Sequence, residues 1–281
     1  MRPVITLTTD FGHSEFPGIC RAVIKRLCPE AEIVDISHAV PPFDVRAGAL
    51  VLRDAAPYLP VGIHVVIVDP GVGSARRALA LRTGRGDVLV GPDSGVLLPG
   101  AERLGGAQAA VTIQNPDVLL RPTSATFHGR DVFCPAAARL AAGLPFEALG
   151  PAVDLTDLVR PDLPEPVMSE GVLRGQILTF DSFGSARTNI PADVVAQLRV
   201  RPGDPVEVDL DGRPLRAPFV TTYADVPPGE VCLLIDSSWD LAIAVNRGSA
   251  RERLGLRVDQ PVTLRRAGDR QPAQEPGGAL S

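Results

Sequence analysis

Between Asp154 and Ser169 the chain sets Pro161, Pro164 and Pro166 among acidic residues. Proline fixes φ at about −65° and offers no amide donor, so such a stretch continues neither a helix nor a central strand. It reads as an extended linker, and the segments on its two sides carry different patterns. Before it, strand-like and helix-like segments alternate. Val4–Thr8, Glu32–Asp35, Ile63–Val68, Ala78–Arg82 and Val88–Gly91 have the character of strands. Pro17–Leu27 puts Ile19, Val23, Ile24 and Leu27 at helical spacing, Val45–Ala56 is amphipathic, and Phe133–Ala142 is helical up to a capping Gly143. This succession predicts a layered α/β domain over residues 1–160. Beyond a linker at 161–170 come short β-type runs, namely Gly171–Phe180, Pro205–Leu210, Arg216–Val220, Val231–Ile235 and Leu241–Val245. They predict an all-β, small barrel-like domain over 171–265. Residues 266–281 are polar and rich in Gly and Pro, so a disordered tail is expected there.

With 281 residues, 45% of them hydrophobic, the chain can bury a full core. A net charge of −5 argues against a nucleic-acid partner, which calls for a basic surface. Cys20, Cys28, Cys134 and Cys232 lack CxxC or zinc-type spacing and read as buried reduced thiols of a cytosolic protein. The chain opens directly on strand-like Val4-Ile5-Thr6-Leu7, so no signal peptide is expected. No apolar run is long enough to span a bilayer. A cytoplasmic location without a membrane partner follows as the expectation. His13, His38, His64 and His128 are dispersed, with no HxH or HExxH pair, so no metal site and no cofactor are expected.

Two segments place ionisable residues where buried elements give way to Gly-containing turns. Asp69 follows the apolar run His64–Val68 and opens Asp69-Pro70-Gly71-Val72-Gly73, with Arg76 and Arg77 close behind. His128 lies in Thr126-Phe127-His128-Gly129-Arg130-Asp131. Strand ends opening into loops are where α/β folds place their chemistry. An Asp, an Arg and a His gathered there would hold and orient a water. Two roles stay open. An Arg beside an Asp favours the charged carboxylate, a weak base, which leaves His128 as the proton acceptor near neutral pH. Alternatively the three form a polar cradle that holds water in line with a reacting carbon. Taken singly, each segment reads better as a turn-capping Asp or a surface His than as a site. Arg76 is preferred to Arg77 by its motif position. The glycines of the Asp69 loop lack a phosphate-loop pattern and read as allowing close approach of backbone to a ligand. Asp10, at the end of the first strand, either accepts the hydroxyls of a ribose or caps the next helix.

Those segments, together with Asp10-Phe11-Gly12, Pro92-Asp93-Ser94-Gly95, Asp181-Ser182-Phe183-Gly184 and Asn246-Arg247-Gly248-Ser249-Ala250, resemble the S-adenosyl-L-methionine hydroxide adenosyltransferase family, relatives of fluorinase and chlorinase enzymes. The resemblance runs from about Pro3 to about Leu264. It implies that Asp69, Arg76 and His128 handle the nucleophilic water and that Asp10 binds the ribose diol. Phe43 and Phe127 would lie against the substrate, Asp181 would hold the methionine ammonium, and Tyr223 would stack on adenine. Ser237 would meet the methionine carboxylate, and the Asn246 segment would contact adenine largely through backbone. Core packing is the competing reading for Phe43 and Tyr223, and a turn Asp for Asp181. Two positions depart from the pattern. Ser185 replaces the usual Asn that reads the adenine edge, and Ser238 stands where halogenating relatives carry Arg. Those relatives also lack the Asp and His and carry an extra loop, for which the short turn within Arg82–Leu89 leaves no room.

The implied function is hydrolysis of S-adenosyl-L-methionine to adenosine and L-methionine, by in-line attack of water or hydroxide on C5′ without a metal. A sulfonium leaves as a neutral thioether and needs no acid. The resemblance also implies a homotrimer with sites between subunits. The rival readings are a halogenase of the same fold, a non-catalytic adenosine or S-adenosylmethionine binder, and a metal-dependent hydrolase.

Overall fold

The computed structural model describes residues 2–268, and the chain divides between Asp162 and Leu163 into two compact units. The first contains β1 (Val4–Thr9), α1 (Phe16–Leu27), β2 (Glu32–Ser37), α2 (Val45–Ala55), β3 (Ile63–Ile67), β4 (Ala78–Thr83), β5 (Val88–Pro92), α3 (Leu98–Arg103), β6 (Ala107–Thr112), α4 (Cys134–Ala141) and β7 (Ala152–Val153). Its strands form one seven-stranded sheet in the order β2-β1-β3-β5-β4-β6-β7. The β2, β1, β3 and β5 pairings are parallel, and β4, β6 and β7 join antiparallel. Every residue of β3 is buried, as a central parallel strand covered on both faces requires. Successive residues go to different clusters. Val65 and Ile67 pack with α1 and α4, while Val66 and Val68 pack with α2 and α3. This two-sided burial explains why the segment reads as a continuous apolar run.

Three local details place the chemistry. Asp44 caps α2 through its side chain, which accepts from the Ala47 amide at 2.8 Å. The helical run expected to begin at Phe133 begins earlier, with a π-helical turn over Gly129–Phe133 that closes by the Cys134 amide donating to the Gly129 carbonyl. Such turns recur at functional sites, and this one follows His128 directly. The run ends as expected, with Gly143 at φ 97°. The β4–β5 connection is a tight hairpin, closed by the Thr83 amide on the Asp87 carbonyl at 2.9 Å.

The second unit contains β8 (Val167–Ser169), β9 (Val172–Phe180), β10 (Ala186–Pro191), α5 (Ala192–Val195), β11 (Pro205–Asp209), β12 (Pro214–Pro218), β13 (Val231–Ile235), β14 (Asp240–Val245), α6 (Ala250–Leu254) and β15 (Pro261–Arg266). Its eight-stranded sheet runs β12-β11-β15-β9-β10-β14-β13, with β8 paired to β9. The two ends of that path meet at a bridge between Phe219 and Leu233, so the sheet is nearly closed into a barrel. Closure hides strand edges that would otherwise invite pairing.

Several expectations change. The linker at 161–170 is partly strand, because β8 pairs with β9 from Val167 to Ser169. β6, β10 and β15 were not expected. Their Ala, Arg and Thr content hides the alternation, and packing against neighbouring strands overrides local preference. Arg266 closes β15 and does not begin a tail. The remainder of the expected tail, 269–281, lies outside the described residues. The unit is also not purely β, since α5 and α6 interrupt it. All four cysteines are buried and free. No helix among the described residues is long and apolar enough to cross a membrane.

Candidate active site

β1 and β3 are adjacent and parallel, with Thr9 opposite Ile67, so their C-terminal ends deliver Asp10 and Asp69 to the same edge of the sheet. Open α/β sheets bind ligands outside the carboxyl ends of their strands. After Asp69 the chain turns through Pro70–Gly73. Gly73, at φ 77°, is required here, because a Cβ would sit 2.5 Å from the Ala125 carbonyl oxygen. The close approach expected for these glycines is therefore to backbone, and it brings the Asp69 loop against the segment that leads into His128.

The turn folds Arg76 back onto Asp69. Nε of Arg76 donates to Oδ1 of Asp69 at 2.8 Å, and Nη2 donates to Oδ2, a two-pronged pair in which both side chains are largely buried. The same Nη2 lies 2.7 Å from Nδ1 of His128. A guanidinium only donates, so Nδ1 accepts and the neutral ring carries its proton on Nε2. Burial lowers the His128 pKa below 6.5, and the Arg76 charge lowers it further, against the raising effect of Asp69 and Asp131. His128 is thus neutral at pH 7, with its basic nitrogen already engaged. That geometry favours the cradle over the proton acceptor. Arg77 goes elsewhere. Its Nε donates to Asp93 at 2.7 Å, and the other Asp93 oxygen takes the Val159 amide at 3.0 Å, which straps residues 157–159 to the sheet.

A cleft of about 250 Å³ opens beside this cluster. Asp69 and His128 line it together with Asp10, Phe43, Phe127 and Gly129. Asp10 does not cap α1. Its Oδ2 accepts the Phe43 amide at 2.9 Å. Phe43 is 71% exposed and sits at φ 66°, so it is neither core nor relaxed backbone. Phe127 stacks edge-on to Phe11 and tilts against Phe16, with ring centroids 5.8 and 4.9 Å away. The result is an apolar wall facing two carboxylates and an imidazole.

Within the second unit the expected residues partly converge. Asp181 caps its own turn, with Oδ1 accepting the Phe183 and Ser185 amides at 2.9 and 2.8 Å. Burial raises the Tyr223 pKa, and the nearby Asp181 carboxylate raises it further against the influence of the Ser185 side chain, so these residues lie close together. Tyr223 is 41% exposed, so it is not a core residue. Ser237 is exposed in the turn that follows β13. The Asn246 side chain is occupied, since Nδ2 donates to the Val226 carbonyl at 2.7 Å. That bond engages the amide's donor group and leaves the backbone of this segment as the contact the resemblance implies. A larger open groove, about 860 Å³, crosses the outer face of β9, β15 and β11, yet none of the expected residues lines it. Its charges partly satisfy one another, as Arg265 and Glu207 do at 2.6 Å. Chemistry rather than volume therefore identifies the site.

Sequence reading missed two arrays because both depend on pairing between strands. In one, Thr6, His64, Asp87 and Arg85 interlock below the strand ends. In the other, Thr9, His38 and Asp35 lie beside Asp10. Neither leaves a local spacing signal. Among the described residues no group of three or more His, Cys, Asp or Glu is arranged to hold a metal ion.

Comparison with known proteins places the chain in a family. Residues 5–150 match the model of the SAM hydroxide adenosyltransferase N-terminal domain, and residues 175–263 match that of its C-terminal domain. A Salinispora tropica protein named (R)-S-adenosyl-L-methionine hydrolase is 45% identical over 258 residues, covering 90% of this chain and 94% of its own. A Thermus thermophilus protein of the same name is 44% identical, covering 94% of this chain and 100% of its own. A fluorinase of Actinoplanes sp. is more distant, at 28% identity over 94% of this chain and 98% of its own. The crystal structure of an uncharacterized conserved protein from Thermotoga maritima superposes with a TM-score of 0.88 at 36% identity, covering 93% of this chain and all of that one. The chain belongs to the S-adenosyl-L-methionine hydroxide adenosyltransferase family.

Proposed function

We infer that this protein hydrolyses S-adenosyl-L-methionine to adenosine and L-methionine. The observation that carries the reading is the Asp69–Arg76–His128 cluster, whose Asp69 and His128 line the same cleft as Asp10 and whose imidazole meets Arg76 through Nδ1, leaving Nε2 for a water. Arg76 fixes both partners. Asp69 keeps lone pairs for a water's hydrogens, and His128 Nε2–H donates to that water's oxygen. A water held between them has one lone pair left to direct at carbon. In the displacement, the water oxygen bonds to C5′ as the C5′–S bond breaks. The bonding pair stays on sulfur and gives the neutral thioether of methionine. The proton shed by the attacking water leaves through Asp69 to solvent.

No step calls for an electrophilic metal, because the sulfonium already carries the positive charge. A halide is a poor fit as nucleophile, since Asp69 would repel an anion at this position. Asp10, with Oδ2 held by the Phe43 amide, offers Oδ1 to the ribose hydroxyls, and Phe43 and Phe127 supply apolar contact. At about 250 Å³ the cleft falls below the roughly 300–1,000 Å³ of sites that enclose small ligands. We assign adenine and methionine contacts to Asp181, Ser185, Tyr223, Ser237 and the backbone near Asn246, in a homotrimer. The test is incubation of the pure protein with S-adenosyl-L-methionine in the presence of EDTA. Adenosine and methionine in equal amounts are expected. Activity abolished by EDTA and restored by a divalent ion would overturn the metal-free reaction, and binding without turnover would overturn the enzyme.

A further inference from the structure

His38 takes no part in the cluster just described, yet it holds the Asp10 segment from both sides. It follows β2, with its side chain 18% exposed. Its Nδ1 lies 2.9 Å from Oγ1 of Thr9, the fully buried residue before Asp10. That same Oγ1 accepts the Phe11 amide at 3.2 Å. Beyond Phe11, the Gly12 amide donates to the His38 carbonyl at 2.7 Å. One residue thus fixes the backbone immediately before and after Asp10. Its own chain then runs through Pro41 and Pro42 to Phe43, whose amide holds Oδ2 of Asp10.

The hydrogen-bond directions are consistent along this array. Oγ1 of Thr9 takes the Phe11 N–H and keeps both its own hydrogen and a second lone pair for Nδ1, so the Thr9–His38 bond forms with either ring tautomer. Nε2 is buried without a hydrogen-bond partner. The Asp35 carboxylate nevertheless lies 3.1 Å away, off the line of the N–H, and is itself paired with Arg21 of α1. An N–H on Nε2 lies beside that carboxylate, and the geometry at Nδ1 accommodates it.

We propose that His38 is a positioning residue for substrate binding: through Thr9 on one side and Gly12 on the other, it aims the Asp10 carboxylate at the ribose diol. The inference rests on the reading of Asp10 as the ribose ligand. It says that the ring acts on affinity and not on the chemical step, because nothing in the array touches Asp69, Arg76 or His128.

The experiment compares wild type with His38→Leu, His38→Asn and Thr9→Val, using calorimetric binding of adenosine, KM and kcat for S-adenosyl-L-methionine, and thermal melting. His38→Leu removes the bond to Thr9 and keeps the carbonyl to Gly12. Adenosine affinity should fall about tenfold and KM rise by a similar factor, with kcat within about threefold, as for loss of a hydrogen bond that supports a charged group. His38→Asn returns a polar atom near the Nδ1 position and should recover most of that affinity. Thr9→Val breaks the same bond from β1 together with the bond to the Phe11 amide and should lower adenosine affinity at least as much as His38→Leu, which covers the case in which the Leu variant does not fold. Unchanged affinity in a folded variant that lacks the bond, or a folded His38→Asn no better than His38→Leu, would overturn the assignment. A fall in kcat with unchanged adenosine affinity would do so as well. Wild-type protein that binds neither adenosine nor S-adenosyl-L-methionine would overturn the function itself, a distinct result.

Discussion

Two of the Asp, Arg and His sets in the first unit make an instructive pair. In the cleft are Asp69, Arg76 and His128, and below the strand ends are Asp87, Arg85 and His64. The buried set has Asp in the middle. Asp87 takes two bonds from Arg85, at 2.8 and 2.9 Å, and one from His64 Nε2 at 3.0 Å. Thr6 occupies the remaining His64 nitrogen at 3.0 Å, and the Gly62 amide adds a further bond to Asp87. The His64 and Asp87 side chains are fully buried with their polar atoms bonded, and the array ties β1, β3 and the start of β5 together. The cleft set has Arg in the middle. Arg76 links carboxylate and imidazole, and the far edge of His128 stays free. The residue types are the same, but their order differs. A saturated array can only hold the fold, whereas an unsaturated one facing a cleft can hold a water.

Substitutions should separate the two sets. The largest effect belongs to the cleft: Asp69→Ala and His128→Ala should each cut single-turnover rates by about 10²–10⁴, with adenosine affinity nearly unchanged. Asp87→Ala should act on stability instead, costing about 3–5 kcal/mol in a denaturant titration because it orphans the fully buried His64 and leaves the Gly62 amide and Arg85 without their acceptor. Its folded fraction should turn over like wild type. If Asp87→Ala slowed the chemistry of folded protein, or Asp69→Ala only lowered stability, the contrast would collapse. Asp10→Ala should fall next, weakening ligand binding by about 1.5–3 kcal/mol by calorimetry while single-turnover rates at saturation hold.

The two histidines should also respond differently to pH. Burial disfavours the charged form of Asp87, but bonds from Arg85, His64 and Gly62 outweigh this and hold its pKa at about 2, against 3.8 for a free carboxyl. Burial lowers the His64 pKa below 6.5. Both groups then bind more protons unfolded than folded. Stability is full above pH 6.5, declines below it as unfolded His64 takes up protons, and declines again from pH 3.8 toward 2 through Asp87. The Asp87 part is worth about 2 kcal/mol. Activity should follow His128, with an acid limb below pH 6.5. Arg76→Met should move that limb to higher pH while lowering the rate, since the guanidinium is one of the two influences holding the imidazole neutral. A limb that stays in place would mean that His128 is not the group observed.

The legible part of this protein was what lies along the chain. The continuous apolar run before Asp69, the helical spacing of Pro17–Leu27 and the Gly143 cap are local signals, and each matches the element found. Motif order was enough to indicate which residues to inspect, and Asp10, Asp69, Phe43, Phe127 and His128 meet in one cleft. What stayed hidden depends on pairing across strands. β10 owes its place to β9 and β14, and the Thr6–His64–Asp87 array joins residues 58 and 23 positions apart. The choice between His128 as base and His128 as donor was also hidden, because it turns on which ring nitrogen faces Arg76.

The central claim is that the unsaturated cluster directs a water at C5′. The most direct measurement is turnover of S-adenosyl-L-methionine in ¹⁸O-labelled water with mass spectrometry of both products. One ¹⁸O is expected in the 5′-hydroxyl of adenosine and none in methionine, with the rate of label incorporation following Asp69 and His128 in the variant series. Methylthioadenosine with labelled homoserine, or adenosine free of label, would contradict it.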